Sequence, residues 1–164
     1  MADAGRGIRL RGWRDRPGDV AALMAAWRDP SVVGANPAPA DASAERAERW
    51  IAGEPERRAR CLALDLVIGP VDADAVWGEV GLRAFDLDAR RAEVGWWLTP
   101  DARGRGLAAV AVDLLATWAL APPLGLRQLW AGIDPANAAS ARVAAAAGFR
   151  LLGPAGVGEV WARP

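Results

Sequence analysis

The chain has 164 residues, 52% of them apolar, and its Arg side chains balance its Asp and Glu to a formal net charge of zero. That length fits one domain, residues 1–164, burying about two-thirds of its unfolded surface, and the even charge provides no general basic field that would call for nucleic acid. His, Lys and Tyr are absent and Cys61 is alone, which excludes a Cys/His zinc site, a disulfide framework and Cys–His or Ser–His catalysis within one chain, so no metal is expected.

Arg6, Arg9 and Arg11 interrupt any signal-like run near Met1, and no stretch approaches the roughly 18 consecutive apolar residues that span a bilayer. The expected location is the cytoplasm, with no membrane partner. Ile8 to Trp13 alternates and predicts a first strand. A turn through Asp15 and Pro17 opens a helix with Val20, Leu23, Met24 and Trp27 on one face, stopped by Asp29-Pro30. The Pro and Gly content from Ser31 to Asp41 predicts a loop. From Ser43 a second helix carries Ala44, Ala47, Trp50 and Ile51 on its apolar side.

Three strands follow. Arg60 to Ile68 places Leu62, Leu64, Leu66 and Ile68 on one face and turns at Gly69-Pro70. Val76 to Phe85 sets Val76, Gly78, Val80 and Leu82 opposite Trp77, Glu79 and Gly81. A hairpin through Asp86, Asp88 and Arg90 leads to Arg91 to Leu98, and hairpin links favour antiparallel pairing. Leu107, Val110, Ala111, Leu114, Leu115 and Trp118 then have the spacing of an amphipathic helix. A Pro-rich link reaches a strand at Arg127 to Ile133, and strand, helix and strand in this order make a right-handed crossover with parallel strands. Asn137 is placed to cap a further helix and Gly148 to end it, before a terminal hairpin of Phe149 to Leu152 and Val157 to Ala162.

Arg103-Gly104-Arg105-Gly106-Leu107-Ala108 lies where strand gives way to helix. Glycines there let the backbone approach a ligand, while the unpaired first-turn N–H groups and the positive dipole end attract an anion such as phosphate. The spacing resembles the coenzyme A motif of the GNAT superfamily of N-acetyltransferases: Arg or Gln, two residues, Gly, one residue, then Gly or Ala, here Arg103, Gly106 and Ala108. A second element, Asn137 to Ser140 leading to Ala147-Gly148-Phe149, follows it. The Glu79 strand, the run Trp96-Trp97-Leu98-Thr99-Pro100, and Asn137 with Ser140 look most like the branch named for the RimJ and RimL ribosomal-protein N-terminal acetyltransferases.

The resemblance covers nearly the whole chain and implies an α/β (α+β) fold: a mixed, mostly antiparallel central sheet of about seven strands, about four helices, and one parallel crossover at the coenzyme site. It implies acetyl-CoA as cosubstrate. Backbone N–H groups of Arg103, Gly104, Arg105, Gly106, Leu107 and Ala108 would hold the pyrophosphate, with both Arg side chains adding charge. Pantetheine would lie along Trp97, Leu98 and Thr99 like an added strand, and Asn137 would bond one of its amides. Family members often pair through terminal strands, so the resemblance allows a homodimer, though the residues themselves leave the oligomeric state open.

The acceptor can be narrowed from the residues. An α-amino group needs about 1 kcal/mol to lose its proton at pH 7 and a lysine ammonium about 4.6. With no His or Tyr to assist, an α-amino group is favoured, on a protein N-terminus, a peptide or an amine-bearing small molecule. Glu93 and Glu79 are the strand carboxylates placed to take the proton; Glu93 ranks first because its strand carries the coenzyme, and an Arg-paired surface role is the alternative for each. Many GNAT enzymes use a Tyr as general acid, and this chain has none. Ser140 is the candidate donor to the thiolate, with local capping as its other reading. Trp77, Trp96 and Trp97 either pack in the core or line an acceptor pocket.

Gly104-x-Gly106-x-x-Ala109 also fits a relaxed dinucleotide fingerprint, but an antiparallel meander precedes it and too little chain follows for a doubly wound sheet. A non-catalytic acyl-CoA sensor stays open: it would keep Arg103 to Ala108 and need none of Glu79, Glu93 or Ser140.

Overall fold

A computed structural model of the protein describes residues 1–33, 39–156 and 158–164. Among the described residues, eight strands form one sheet: β1 (Ala2–Asp3), β2 (Ile8–Gly12), β3 (Ala63–Pro70), β4 (Gly78–Asp86), β5 (Arg91–Leu98), β6 (Gln128–Ile133), β7 (Arg150–Ala155) and β8 (Gly158–Arg163). Their spatial order is β1-β2-β3-β4-β5-β6-β8-β7. Every neighbouring pair is antiparallel except β5 with β6, which run parallel across the predicted crossover. The helices are α1 (Pro17–Arg28), α2 (Pro30–Val33), α3 (Ala44–Ala52), α4 (Glu54–Ala59), α5 (Leu107–Leu120) and α6 (Ala138–Ala146).

Period-two alternation gives the sheet two apolar faces, so helices cover both sides. On one side Leu64, Leu66, Ile68, Val80, Leu82, Ala92 and Val94 pack against Leu107, Ala111, Val112 and Leu115 of α5 and Ala144 of α6. On the other, Val67 and Trp97 meet Trp13, Val20 and Leu23 of the α1 region and Ala47 and Ile51 of α3. Glu79, Gly81, Glu93 and Gly95 belong to this second side, because each sits one residue out of phase with the first set.

Several boundaries differ from the sequence expectation. The strand expected from Arg60 starts at Ala63, and Leu62 is 51% exposed. The chain before it forms α4, with Pro near its start, Glu54 and Glu56 in the first turn and Arg57 and Arg58 in the last, each sign complementing the helix dipole. Gly69-Pro70 does not turn; it completes β3, paired with Arg9 and Ile8. Pro30 opens a short helix within the expected loop, whose residues 34–38 lie outside the described ones. Val76 and Trp77 also exchange sides: Trp77 packs on the α5 cluster and Val76 on the other. The alternation therefore starts only at Gly78, where a Cβ would collide with the Trp97 carbonyl.

The feature that positions the site is the short contact between β5 and β6. They pair only at Arg91 with Gln128, Ala92 with Leu129 and Glu93 with Trp130. Beyond Glu93 the two strands part, and β5 runs on to Leu98 with its β6-facing edge unpaired by β6.

Candidate active site

The parted strands open a cleft of about 520 Å³ lined by Trp96, Trp97, Leu98, Arg103, Gly104, Gly106, Leu107, Ala108, Asn137 and Ser140, with Ser31 and Val32 of α2 completing it. Segments far apart in sequence thus meet at one opening. Thr99 donates its N–H to the Trp77 carbonyl at 2.8 Å. Strand alternation then turns the N–H of Trp97 the same way, toward β4, and aims those of Trp96 and Leu98 into the cleft. The expected run was Trp97 to Thr99; the backbone donors that face the opening come from Trp96 and Leu98.

At the start of α5, Gly104 and Gly106 both have φ of +73°, and nothing lies within 4 Å of a Cβ built on either. This left-handed conformation is readily available to Gly and strained for other residues. Gly106 N-caps the helix with no side-chain cap and no acidic residue in the first turn, so the first N–H groups are left for an anion. The two arginines of the loop are differently occupied. Arg103 bonds Asp29 at 2.6 Å and the Leu98 carbonyl at 3.0 Å, and the Arg105 guanidinium lies 5.0 Å from the Trp77 ring centroid. A second depression, about 640 Å³, adjoins the cleft through Gly106, Ala109 and Ala146 and carries Arg6, Arg105 and Arg163.

Asn137 caps α6, its side-chain oxygen accepting the Ser140 N–H at 3.0 Å. That bond uses the amide oxygen and leaves the amide NH₂ for a ligand.

The two candidate carboxylates sit on the far side of β4 and β5 from α5. Glu93 faces Arg83 directly across the strands and is gripped at both oxygens, 3.0 Å from Nε and 2.8 Å from Nη2. Glu79 faces Trp97 and accepts N–H bonds from two indoles, Trp13 at 2.8 Å and Trp97 at 3.3 Å. Loss of hydration raises its carboxyl to about 8; Asp65 adds to the rise, while the Trp bonds and Arg57 oppose it. Asp65, bonded to Arg57 at 3.2 Å, is itself raised by burial. A hollow of about 30 Å³ lies between Asp65, Glu79, Gly81, Arg83 and Gly95, and shares Trp96 and Trp97 with the large cleft. β5 is therefore a partition between two openings, a large cleft on one side and a small, polar-lined hollow on the other.

Sequence reasoning did not single out Trp13, Asp65 or Asp29, and it named Trp96 only as core or acceptor-pocket lining, not as a backbone donor to the cleft. Asp65 had a signal, a lone acid inside the apolar run Leu64 to Ile68; Asp29 had none beyond ending a helix.

The acetyltransferase (GNAT) domain model matches residues 8–150. The chain belongs to this family, and by that membership it is an acetyl-CoA-dependent N-acetyltransferase. Solved structures similar to it include Mycobacterium smegmatis RimJ in complex with CoA-disulfide (21% identity, 95% of this chain and 81% of that one, TM-score 0.79). Others are the microcin C7 self-immunity acetyltransferase MccE in complex with acetyl-CoA and AMP (17%, 96% and 92%, 0.79) and the ribosomal-protein-S5-alanine acetyltransferase of Vibrio fischeri (20%, 95% and 91%, 0.75). At these identities the likeness is one of fold. No curated protein matches the chain. Among the described residues, no helix is long and apolar enough to cross a membrane.

Proposed function

We propose that the protein transfers the acetyl group of acetyl-CoA to an α-amino group, on a protein N-terminus, a peptide or a small amine, by direct attack within the Trp96–Trp97 partition. The observation that carries this reading is the shared wall. The cleft with the uncapped N–H groups of α5 and the hollow with the half-buried Glu79 carboxyl touch at the same two residues.

In this reading the N–H groups at the start of α5 hold the diphosphate, and the depression bearing Arg6, Arg105 and Arg163 takes the phosphoadenosine end. The N–H groups of Trp96 and Leu98 and the amide of Asn137 align the pantetheine arm. One of those strand donors stabilises the carbonyl oxygen as it gathers charge. Acetyl-CoA supplies an activated acyl group and a thiolate leaving group.

Glu79, more than Glu93, fits the part of proton acceptor. Its carboxyl, raised to about 8, matches an α-amino group at about 7.7 to 8.0, which is what efficient proton transfer requires. Glu93 is committed to Arg83 at both oxygens. Ser140 lines the cleft and is placed to meet the departing thiolate, which at a pKa of about 8.5 needs little help. A RimJ/RimL-like choice of protein N-termini agrees with the structural relatives named above.

The test is a thiol-release screen with acetyl-CoA against peptides bearing free N-termini, blocked peptides bearing only lysine, and small amines. Release should follow the free α-amine. Coenzyme binding without turnover across the panel would instead favour a sensor.

A further inference from the structure

Asp29 ends α1, yet its side chain reaches the coenzyme loop 74 residues later in the chain. Its Oδ2 accepts from Arg103 Nη2 at 2.6 Å, while Oδ1 accepts from the Ser31 N–H at 2.9 Å and the Ser31 hydroxyl at 2.6 Å. Arg103 Nε donates to the Leu98 carbonyl at 3.0 Å. One whole edge of the guanidinium, Nε with Nη2, is thereby spent on the end of α1 and the end of β5. The arginine spans the cleft mouth as a strut.

What the strut joins is informative. Ser31 and Val32, which follow Asp29-Pro30, line the same cleft as Trp96, Leu98 and Gly104, and Val32 is 6% exposed, packed into the second core. Bonds from Ser31 and Arg103 hold the Asp29 carboxyl down at about 2, so it stays charged at working pH. An arginine already neutralised by a carboxylate at contact distance adds little to a diphosphate site, whereas the first backbone donors of α5 have no side-chain cap among the described residues.

We propose that Asp29 is a positioning residue for the coenzyme: through Arg103 it holds α2 against β5 and fixes the width of the channel that receives the pantetheine arm. This rests on the cleft being the coenzyme site. It gives Arg103 a part other than supplying charge to the pyrophosphate.

The experiment is calorimetric titration of coenzyme A into the full chain and its variants Asp29→Asn, Asp29→Glu, Arg103→Gln and the double Asp29→Asn/Arg103→Gln, with a thermal melt of each. Losing a charge-assisted bond that shapes the channel should weaken coenzyme A about tenfold in each single Asn or Gln variant. The double variant should be no weaker than Arg103→Gln alone, and Asp29→Glu should recover most of the affinity. If Arg103 is instead a phosphate ligand, removing the neighbouring carboxylate leaves binding unchanged or tightens it; either result, or additive losses in the double variant, overturns the proposal. A second readout does not need Asp29→Asn to fold: the salt dependence of coenzyme binding should be the same for Arg103→Gln as for wild type, and a clearly shallower dependence overturns it. Failure of the wild type to bind coenzyme A would remove the cleft assignment itself, and is distinguishable from all of these.

Discussion

Trp13 and Glu79 are 66 residues apart and meet at 2.8 Å, indole Nε1 donating to a carboxylate oxygen. Trp13 is 8% exposed and packs edge-on to Trp50, with ring centroids 6.0 Å apart, and stacked on Trp97 at 6.4 Å. The carboxylate is thus framed by indoles on the side away from solvent. Two N–H donors stabilise its charged form, but desolvation and the nearby Asp65 outweigh them. A carboxyl tuned toward neutrality is the outcome.

Replacing Glu79 by Gln keeps the volume and an oxygen for one Trp donor while removing the base. Acetyl transfer to a free N-terminal peptide should fall roughly 100-fold or more. Coenzyme A affinity should stay within about twofold, since Glu79 lies across β5 from the cleft. Rates and calorimetric affinities of the purified variant check both.

The same carboxyl sets a pH dependence of stability. A group whose folded pKa exceeds its unfolded value stabilises the fold while protonated; for Glu79 that contribution is full below 4.5 and is lost as pH rises through about 8. The melting temperature should therefore decline from about pH 5 to about pH 8.5, by on the order of 5 °C, and Glu79→Gln should flatten that decline. Activity should run the opposite way and climb toward about pH 8 as the base ionises. Melting curves and initial rates over the same buffers test the pair of slopes.

Glu93→Gln makes the contrasting case. It breaks a pair in which Arg83 is 42% exposed, so solvent screens most of the loss. Transfer should slow by less than about fivefold, and stability should change by under about 1 kcal/mol. A 100-fold loss here with Glu79→Gln nearly intact would reverse the assignment of the two acids.

At Gly106, Val would have to adopt the φ of +73° that the turn into α5 requires. No atom lies within 4 Å of the new Cβ, so the cost is backbone strain of about 1 to 3 kcal/mol, with a side chain intruding where the diphosphate should lie. Coenzyme affinity should drop at least about tenfold, while Val at the solvent-exposed, non-loop position Gly18 should leave it unchanged. Titration of both variants supplies the comparison.

What could be read from the chain were features fixed locally. The glycine turn into α5, the Asn137 cap and the parallel crossover depend on turn chemistry and period, and the structure brings Arg103, Gly104, Gly106, Leu107 and Ala108 to one cleft with Asn137 and Ser140, leaving Arg105 to the adjoining depression. Docking of α1 could not be read so, because Asp29 with Arg103 and Trp13 with Glu79 are pairs between elements that only the folded sheet juxtaposes. Nor did alternation alone show which face of β5 lines the cleft. That follows from Thr99 spending its N–H on Trp77, and from the irregular start of β4 at Gly78.

If the proposed function holds, the opening between β5 and β6 carries the coenzyme with its reactive end at Trp96–Trp97. A crystal structure with acetyl-CoA bound measures it directly. The diphosphate should lie on the N–H groups of Gly104 to Ala108 and the pantetheine amides on Trp96 and Leu98, with the acetyl group within reach of the Glu79 hollow. Coenzyme bound elsewhere on the sheet, or a pantetheine arm turned away from β5, would contradict it.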